Sequence, residues 1–125
     1  MAKIFFDANI FIDLVEKRQK TTISDFLGHE LHISPLSIHI LTYMYKYGIP
    51  NKKLADSRKY FNLIPFDENV AENAMQGPTS DFEDNVQLHS AASADCDLFL
   101  TNDKKLLSLK FFGKTRIASN FVSKD

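Results

Sequence analysis

The chain has 125 residues, 44% hydrophobic and 25% charged, with a formal net charge of −1 and a single cysteine, Cys96. This is the composition of one soluble globular domain over residues 1–125 that can bury its core without help; an intrachain disulfide and a bilayer-spanning apolar run are both excluded. A lone cysteine and an N-terminus that enters a strand pattern directly, with no signal-peptide apolar region, fit a reducing cytoplasm, so a cytoplasmic location is expected.

In chain order, Lys3–Phe6 reads as a short buried strand. A helix follows from Ala8 to about Gln19, with Ile10, Phe11, Leu14 and Val15 on one face. Thr22–Leu27 reads as a second short helix stopped at Gly28, and Leu31–Ser34 as a second strand. Ser34-Pro35 has the chemistry of a helix start, with Ser34 as N-cap and Pro35 in the first position. That helix is expected from Leu36 to about Tyr47, before Gly48, and another over Lys52–Phe61. Leu63–Pro65 reads as a strand and Asp67–Met75 as a helix capped by Asp67. After the Gly77-Pro78 loop come an alanine-rich helix over Phe82–Ala94, a strand Leu98–Leu100, a helix Asp103–Leu109, a strand Thr115–Ala118 and a tail Ser119–Asp125. Strands alternating with helices indicate an α/β fold with a mainly parallel sheet.

Charge is segregated. Residues 1–60 carry nine Lys/Arg and six Asp/Glu; residues 61–103 carry nine Asp/Glu and no Lys or Arg; residues 104–125 carry six Lys/Arg and one Asp. An acidic middle between basic flanks suits a metal centre beside a phosphate-binding surface, although helical surfaces often segregate charge without such a purpose.

The acids fall where strands end or helices begin. Asp7 ends the run Ile4–Phe6 and can cap the helix behind it. Asn9 can orient Asp7, contact a phosphate or serve as a local turn residue; Asp13, at a helical angle away from Asp7, is expected on the solvated surface. Asp81 and Asp84, three apart, share a face at a helix start, where the helix dipole also favours acids. Asp84 is the expected metal ligand and Asp81 a supporting or second-metal residue. Thr101-Asn102-Asp103 links a strand to a helix; Thr101 or Asp103 can cap, and the Thr101 hydroxyl can orient a water or a phosphate oxygen. In an open α/β sheet the strand carboxyl ends border the ligand crevice, and clustered carboxylates suit Mg²⁺ or Mn²⁺. The expectation is a metal-dependent phosphodiesterase, a small ribonuclease; three independent helix caps are the bland alternative.

The segments IFFDANIFIDL (4–14) and DFEDNVQLHSAASADCDLFLTND (81–103), followed by KKL, resemble the PIN domain family in order and spacing. The resemblance implies a three-layer α/β/α fold with a mainly parallel central sheet and Mg²⁺- or Mn²⁺-dependent cleavage of single-stranded or structured RNA. For stand-alone chains of this size it implies a VapC-type toxin with a cognate antitoxin. Carried over by position, the first family acid falls on Asp7, the third on Asp84 and the fourth on Asp103. These are the expected catalytic and metal-binding residues.

The second family acid is missing. The family has a Glu in the pattern Ser-x-x-(Thr/Ser)-x-x-Glu, whereas Leu31 to Ala55 contains no Asp or Glu. His39 stands at or next to that place, and Ser37 is expected to line the same crevice. Imidazole suits Mn²⁺ better than Mg²⁺. His39 is therefore read as a ligand or supporting donor, as a phosphate contact, or as the mark of a catalytically weak RNA- or protein-binding module. A helix histidine is more often simply structural.

Substrate contacts are expected from Lys46, Lys52, Lys53, Arg58 and Lys59 among Tyr43, Tyr45 and Tyr47, since cations mixed with aromatics suit single-stranded nucleic acid. An exposed aromatic face equally suits a homodimer or an antitoxin peptide. A haloacid-dehalogenase-type phosphotransferase also starts with an Asp at a strand end. It needs a second Asp where Asn9 stands. Cys96 has no base positioned in sequence and reads as a buried apolar residue.

Overall fold

The computed structural model describes residues 1–121. Six strands form one sheet: β1 Lys3–Phe6, β2 Glu30–Ile33, β3 Asn62–Leu63, β4 Leu98–Leu100, β5 Phe111–Phe112 and β6 Thr115–Ala118, in the order β3-β2-β1-β4-β6-β5. All neighbours are parallel except the β5–β6 hairpin. The helices are α1 Ala8–Glu16, α2 Pro35–Tyr45, α3 Lys52–Ser57, α4 Glu68–Ala74, α5 Phe82–Ser93 and α6 Lys104–Leu107, with a 3₁₀ turn at Ile23–Phe26. This is the expected three-layer α/β/α architecture.

The central strands are apolar along their whole length because both faces are covered. Ile4 and Phe6 of β1 join one core with Phe11, Ile12, Leu14, Leu41 and Phe61. Phe5 points the other way, into a core with Leu88, Ala91, Phe99, Leu106 and Ile117. Its ring stacks on Phe99 at 5.3 Å, a pairing that contributes about 0.5–1.5 kcal/mol beyond area burial.

Strand order places the functional edge. The chain steps from β1 through β2 to β3 on one side, then crosses to β4 and β6 on the other. The order reverses between β1 and β4, and at such a switch point the flanking connections diverge and leave a crevice at the carboxyl ends.

Local signals placed most elements to within a turn. Helix ends are the main departures: α1 stops at Glu16 rather than Gln19, α2 at Tyr45 rather than Tyr47, and α3 at Ser57 rather than Phe61. Lys17 (φ 54°) and Lys46 (φ 53°) close α1 and α2 in the left-handed conformation. Glycine usually marks that position, so two lysines there gave no stop signal. β5 was not anticipated; two phenylalanines before the Gly113 turn are too short a run to declare a strand. The expected tail is seen to Phe121, and its remainder lies outside the described residues. Among the described residues no helix is long and apolar enough to cross a membrane.

Candidate functional site

The site begins with two strand ends. Phe6 of β1 stands opposite Leu100 of β4, so Asp7 and Thr101 leave neighbouring strands side by side. The Asp7 amide continues the ladder by donating to the Leu100 carbonyl at 2.9 Å. Asp7 is 6% exposed, and both its carboxylate oxygens are engaged. One accepts the Ala8 N–H at 2.8 Å, capping α1; the other accepts the Thr101 hydroxyl at 2.7 Å. Thr101 Oγ1 also accepts the Asp103 N–H at 3.0 Å, and Asp103 caps α6 through the Lys105 N–H at 2.8 Å. One buried hydroxyl therefore holds both acid-bearing segments.

The third segment is the start of α5. Asp81 is its N-cap and accepts the Asp84 N–H at 3.0 Å, leaving the half-buried Asp84 carboxylate free of that duty. Asn85 locks this turn in place: its amide donates to the carbonyls of Ala74 (2.9 Å) and Thr79 (3.0 Å), and its oxygen accepts the Thr79 hydroxyl at 2.7 Å. Sequence reasoning passed over Asn85; a polar residue on the apolar side of a helix was the available signal.

The acids act on one another. Burial raises the proton affinity of Asp7; the hydrogen bonds from Thr101 and Ala8 oppose this, and the charges of Asp103 and Asp81 add to it. Burial likewise pushes Asp84 up, to about 6, helped by the charges of Asp81, Asp7, Asp103 and Glu83. Asp7, Asp81, Asp84 and Asp103 thus share one electrostatic field across the crevice. Among the described residues none of the four makes an ion pair.

This donor set fits a hard divalent cation by its chemistry: several carboxylate oxygens, mutual repulsion and, among the described residues, no ion pair to relieve it. It is not a closed ligand shell. Among the described residues no three His, Cys, Asp or Glu side chains are arranged to enclose a metal ion.

Of the remaining expected residues, Asn9 is exposed in the first turn of α1, beside Asp7. Ser37 is fully buried on α2, and its hydroxyl donates to Gln87 Oε1 at 3.4 Å. Gln87 lies one turn beyond Asp84 on α5 and is 1% exposed, with its amide nitrogen unpartnered in the structure. Sequence reasoning did not single it out. His39 is exposed, with its ring 6.4 Å from that of Tyr43. Two residues from Ser37 is roughly 200° around a helix, so the structure does not bring His39 to the face that carries Ser37. Counted from Ser34 and Ser37, the third position of the family spacing is Ile40, which packs on the apolar core.

Two expectations about surroundings need correction. Asp13 is not a free surface acid: its side chain is 16% exposed and pairs with Arg18 at 2.6 Å. The basic and aromatic patch is not beside the acids. α2 starts at the carboxyl edge of the sheet and runs back, so Tyr43, Tyr45 and α3 lie towards the opposite edge. Several of its cations are engaged there: Lys53 with Glu16 at 2.9 Å, Lys52 with Asp56 at 2.7 Å, and Arg58 with the Phe61 carbonyl at 2.9 Å. The cations close to the acids are Lys104 and Lys105, both exposed in α6 directly after Asp103. Cys96 is buried, and burial pushes its thiol up to about 12, which leaves it inert as a nucleophile.

No curated relative matches the sequence. Among solved structures, a chain of the VapBC2 complex from Rickettsia felis, crystallised with a DNA fragment from its promoter, shares the fold with a TM-score of 0.67 at 13% identity, covering 92% of this chain and 96% of that one. The model of the PIN domain family matches residues 4–111, which include all of β1 but Lys3, the α5 start and the Thr101–Asp103 segment. With acids from all three segments gathered at the switch point of the sheet, the chain belongs to the PIN domain family.

Proposed function

We propose that the protein is a metal-dependent endoribonuclease, acting as the toxin of a toxin–antitoxin pair. The observation that carries this reading is the set of four aspartates from three distant segments, mutually repelling and unpaired, at the carboxyl edge of the sheet. PIN domains are in general nucleases that use divalent metals, and the VapBC neighbour supports an antitoxin partner.

Asp7, Asp84 and Asp103 would hold Mg²⁺ or Mn²⁺, with Asp81 in support. A bound divalent cation supplies charge neutralisation and Lewis acidity at the scissile phosphate. The chain's own residues do the rest. Thr101 fixes the orientation of Asp7 by donating to it, and fixes Asp103 by accepting its N–H. Asp84, raised to about 6 by burial and the neighbouring acids, takes up a proton as pH falls towards that value, and a cation's charge would favour its ionised form. Asn9 at the α1 start and Lys104 and Lys105 on α6 flank the acids where an RNA phosphate would lie. The exposed Tyr43, Met44 and Ile49 offer an apolar surface for a second copy or an antitoxin.

A second reading keeps the scaffold and drops the turnover: a catalytically weak RNA- or protein-binding module. The observation behind it is the α2 face carrying Ser37 and Ile40, with no carboxylate. The test is cleavage of labelled single-stranded RNA with Mn²⁺, Mg²⁺ or EDTA, beside Asp7→Asn. Metal-dependent cleavage lost in the variant is expected. Cleavage that survives in EDTA, or in the variant, would sink the mechanism; metal binding without cleavage across varied RNAs would favour the module.

A further inference from the structure

Residues 104–121 carry five Lys/Arg and no Asp or Glu. Lys104 and Lys105 stand on α6; Lys110, Lys114 and Arg116 lie on or beside the β5–β6 hairpin at the outer edge of the sheet. All five are exposed, and among the described residues none makes an ion pair. Among these cations Phe111 is 59% exposed. It stands opposite Arg116 across the hairpin, so the two side chains share a face. Phe112 turns the other way, into the core beside His89. Among the described residues no aromatic ring stacks on Phe111 and no cation lies over it. The strip starts at the acids. Lys104 directly follows Asp103, and Ala118, the last residue of β6, accepts the Thr101 N–H at 3.1 Å. Arg116 lies two residues back along β6, about 7 Å away.

We propose that the β5–β6 edge is a second binding site, separate from the acids, that holds single-stranded RNA beyond the point of cleavage. Lys110, Lys114 and Arg116 take its phosphates, and Phe111 takes the face of one base. The proposal rests on the nuclease reading above and adds a place where the substrate is gripped outside the centre. Cations without acidic partners attract a polyanion, and a bare ring beside them suits a strand whose bases are unpaired, because a duplex hides its base faces. An acidic peptide added to the sheet edge is the less suited occupant. β5 is two residues long, Lys110 before it is left-handed at φ 65°, and the Phe111 N–H already donates to the Leu109 carbonyl at 2.7 Å. Such an edge gives an extended peptide little backbone to pair with.

The test is fluorescence anisotropy of labelled decauridylate with the full chain in EDTA, over a range of salt concentrations, with a decaglutamate peptide as competitor. Lys110→Gln, Lys114→Gln and Arg116→Gln together should reduce the slope of log affinity against log salt by about two. Phe111→Ala should weaken binding about tenfold with the slope unchanged, and Phe111→Trp should restore it. Melting curves confirm that each variant folds. A slope unaltered in the triple variant, or parental affinity in Phe111→Ala, overturns the proposal. Displacement of the RNA by decaglutamate at equal concentration also overturns it, in favour of an acidic protein partner. RNA cleavage run in parallel separates the two readings. Cleavage by a chain whose RNA binding ignores these four residues removes the second site but not the nuclease. Binding that depends on them, without cleavage, supports the second site and removes the nuclease.

Discussion

Two groups of acids sit at opposite ends of α1, in opposite electrostatic states. At its C-terminal end Glu16 accepts from the Tyr47 hydroxyl and from Lys53 at 2.9 Å. Burial works against its charge, but those bonds and the charges of Lys53 and Arg18 outweigh it, and the carboxyl lies below its ordinary range. Asp56 nearby is lowered by its bond to Lys52. At the N-terminal end Asp7 and Asp84 are raised, first by burial and then by neighbouring acids. The chain has cations to spare: Lys104 and Lys105 adjoin the acid edge without pairing to it. Pairing at one end is ordinary surface stabilisation. Unrelieved repulsion at the other is retained against stability, and perturbed carboxylates in a crevice mark a site of function.

The sharpest way to break this contrast is to neutralise one acid at each end. Asp7→Asn should lower RNA cleavage by on the order of 10³-fold while leaving the fold intact, because the amide oxygen can still accept from Ala8 while the amide nitrogen donates to the Thr101 hydroxyl oxygen; cleavage rates and melting curves check both halves. Thr101→Val removes the hydroxyl that serves Asp7 and Asp103, and should cost about 1–3 kcal/mol in denaturant unfolding together with most of the activity. A variant as stable as the parent would show that the hydroxyl does not organise the site.

The third expectation concerns pH. The Asp84 carboxyl sits at about 6 in the folded chain, against 3.8 for an unperturbed aspartate. Between those values the folded state binds more protons than the unfolded state, so this acid's contribution to stability falls as pH rises through the window; Asp7 acts in the same direction. Without metal, Asp84→Asn should therefore melt higher than the parent at about pH 7.5 and nearly level with it at about pH 4. Mg²⁺ or Mn²⁺ should raise the parent's melting temperature more at the higher pH, where protons no longer compete. An equal gap at both pH values would show that repulsion is not what distinguishes this edge.

Smaller effects refine the picture. Ile40→Glu adds a carboxylate in the family spacing from Ser37 and should tighten Mg²⁺ binding about tenfold by calorimetry. His39→Glu, on the exposed face, should leave binding within about twofold. The reverse order would assign the vacant place to His39. Smallest of all, Glu16→Gln should lower the melting temperature by only a few degrees, less so at high salt, with cleavage unchanged.

Asp7, Ser34, Asp67, Asp81 and Asp103 were legible as helix starts, and each caps its helix. The strands Lys3–Phe6, Leu98–Leu100 and Thr115–Ala118 were legible to the residue. Capping and side-chain periodicity are short-range effects, carried by residues within a turn or two of one another, so the amino-acid order alone determines them. The family spacing extended that reading to three of the four acids. Tertiary structure decided the rest. The Asp7–Thr101 bond joins residues 94 apart in sequence, and the Ser37–Gln87 contact joins residues 50 apart. The distance between the basic, aromatic patch and the acids follows from strand order and helix direction. These relations come from packing two helical layers on a sheet whose strand order reverses at β1 and β4, and no local propensity records which distant strand becomes a neighbour.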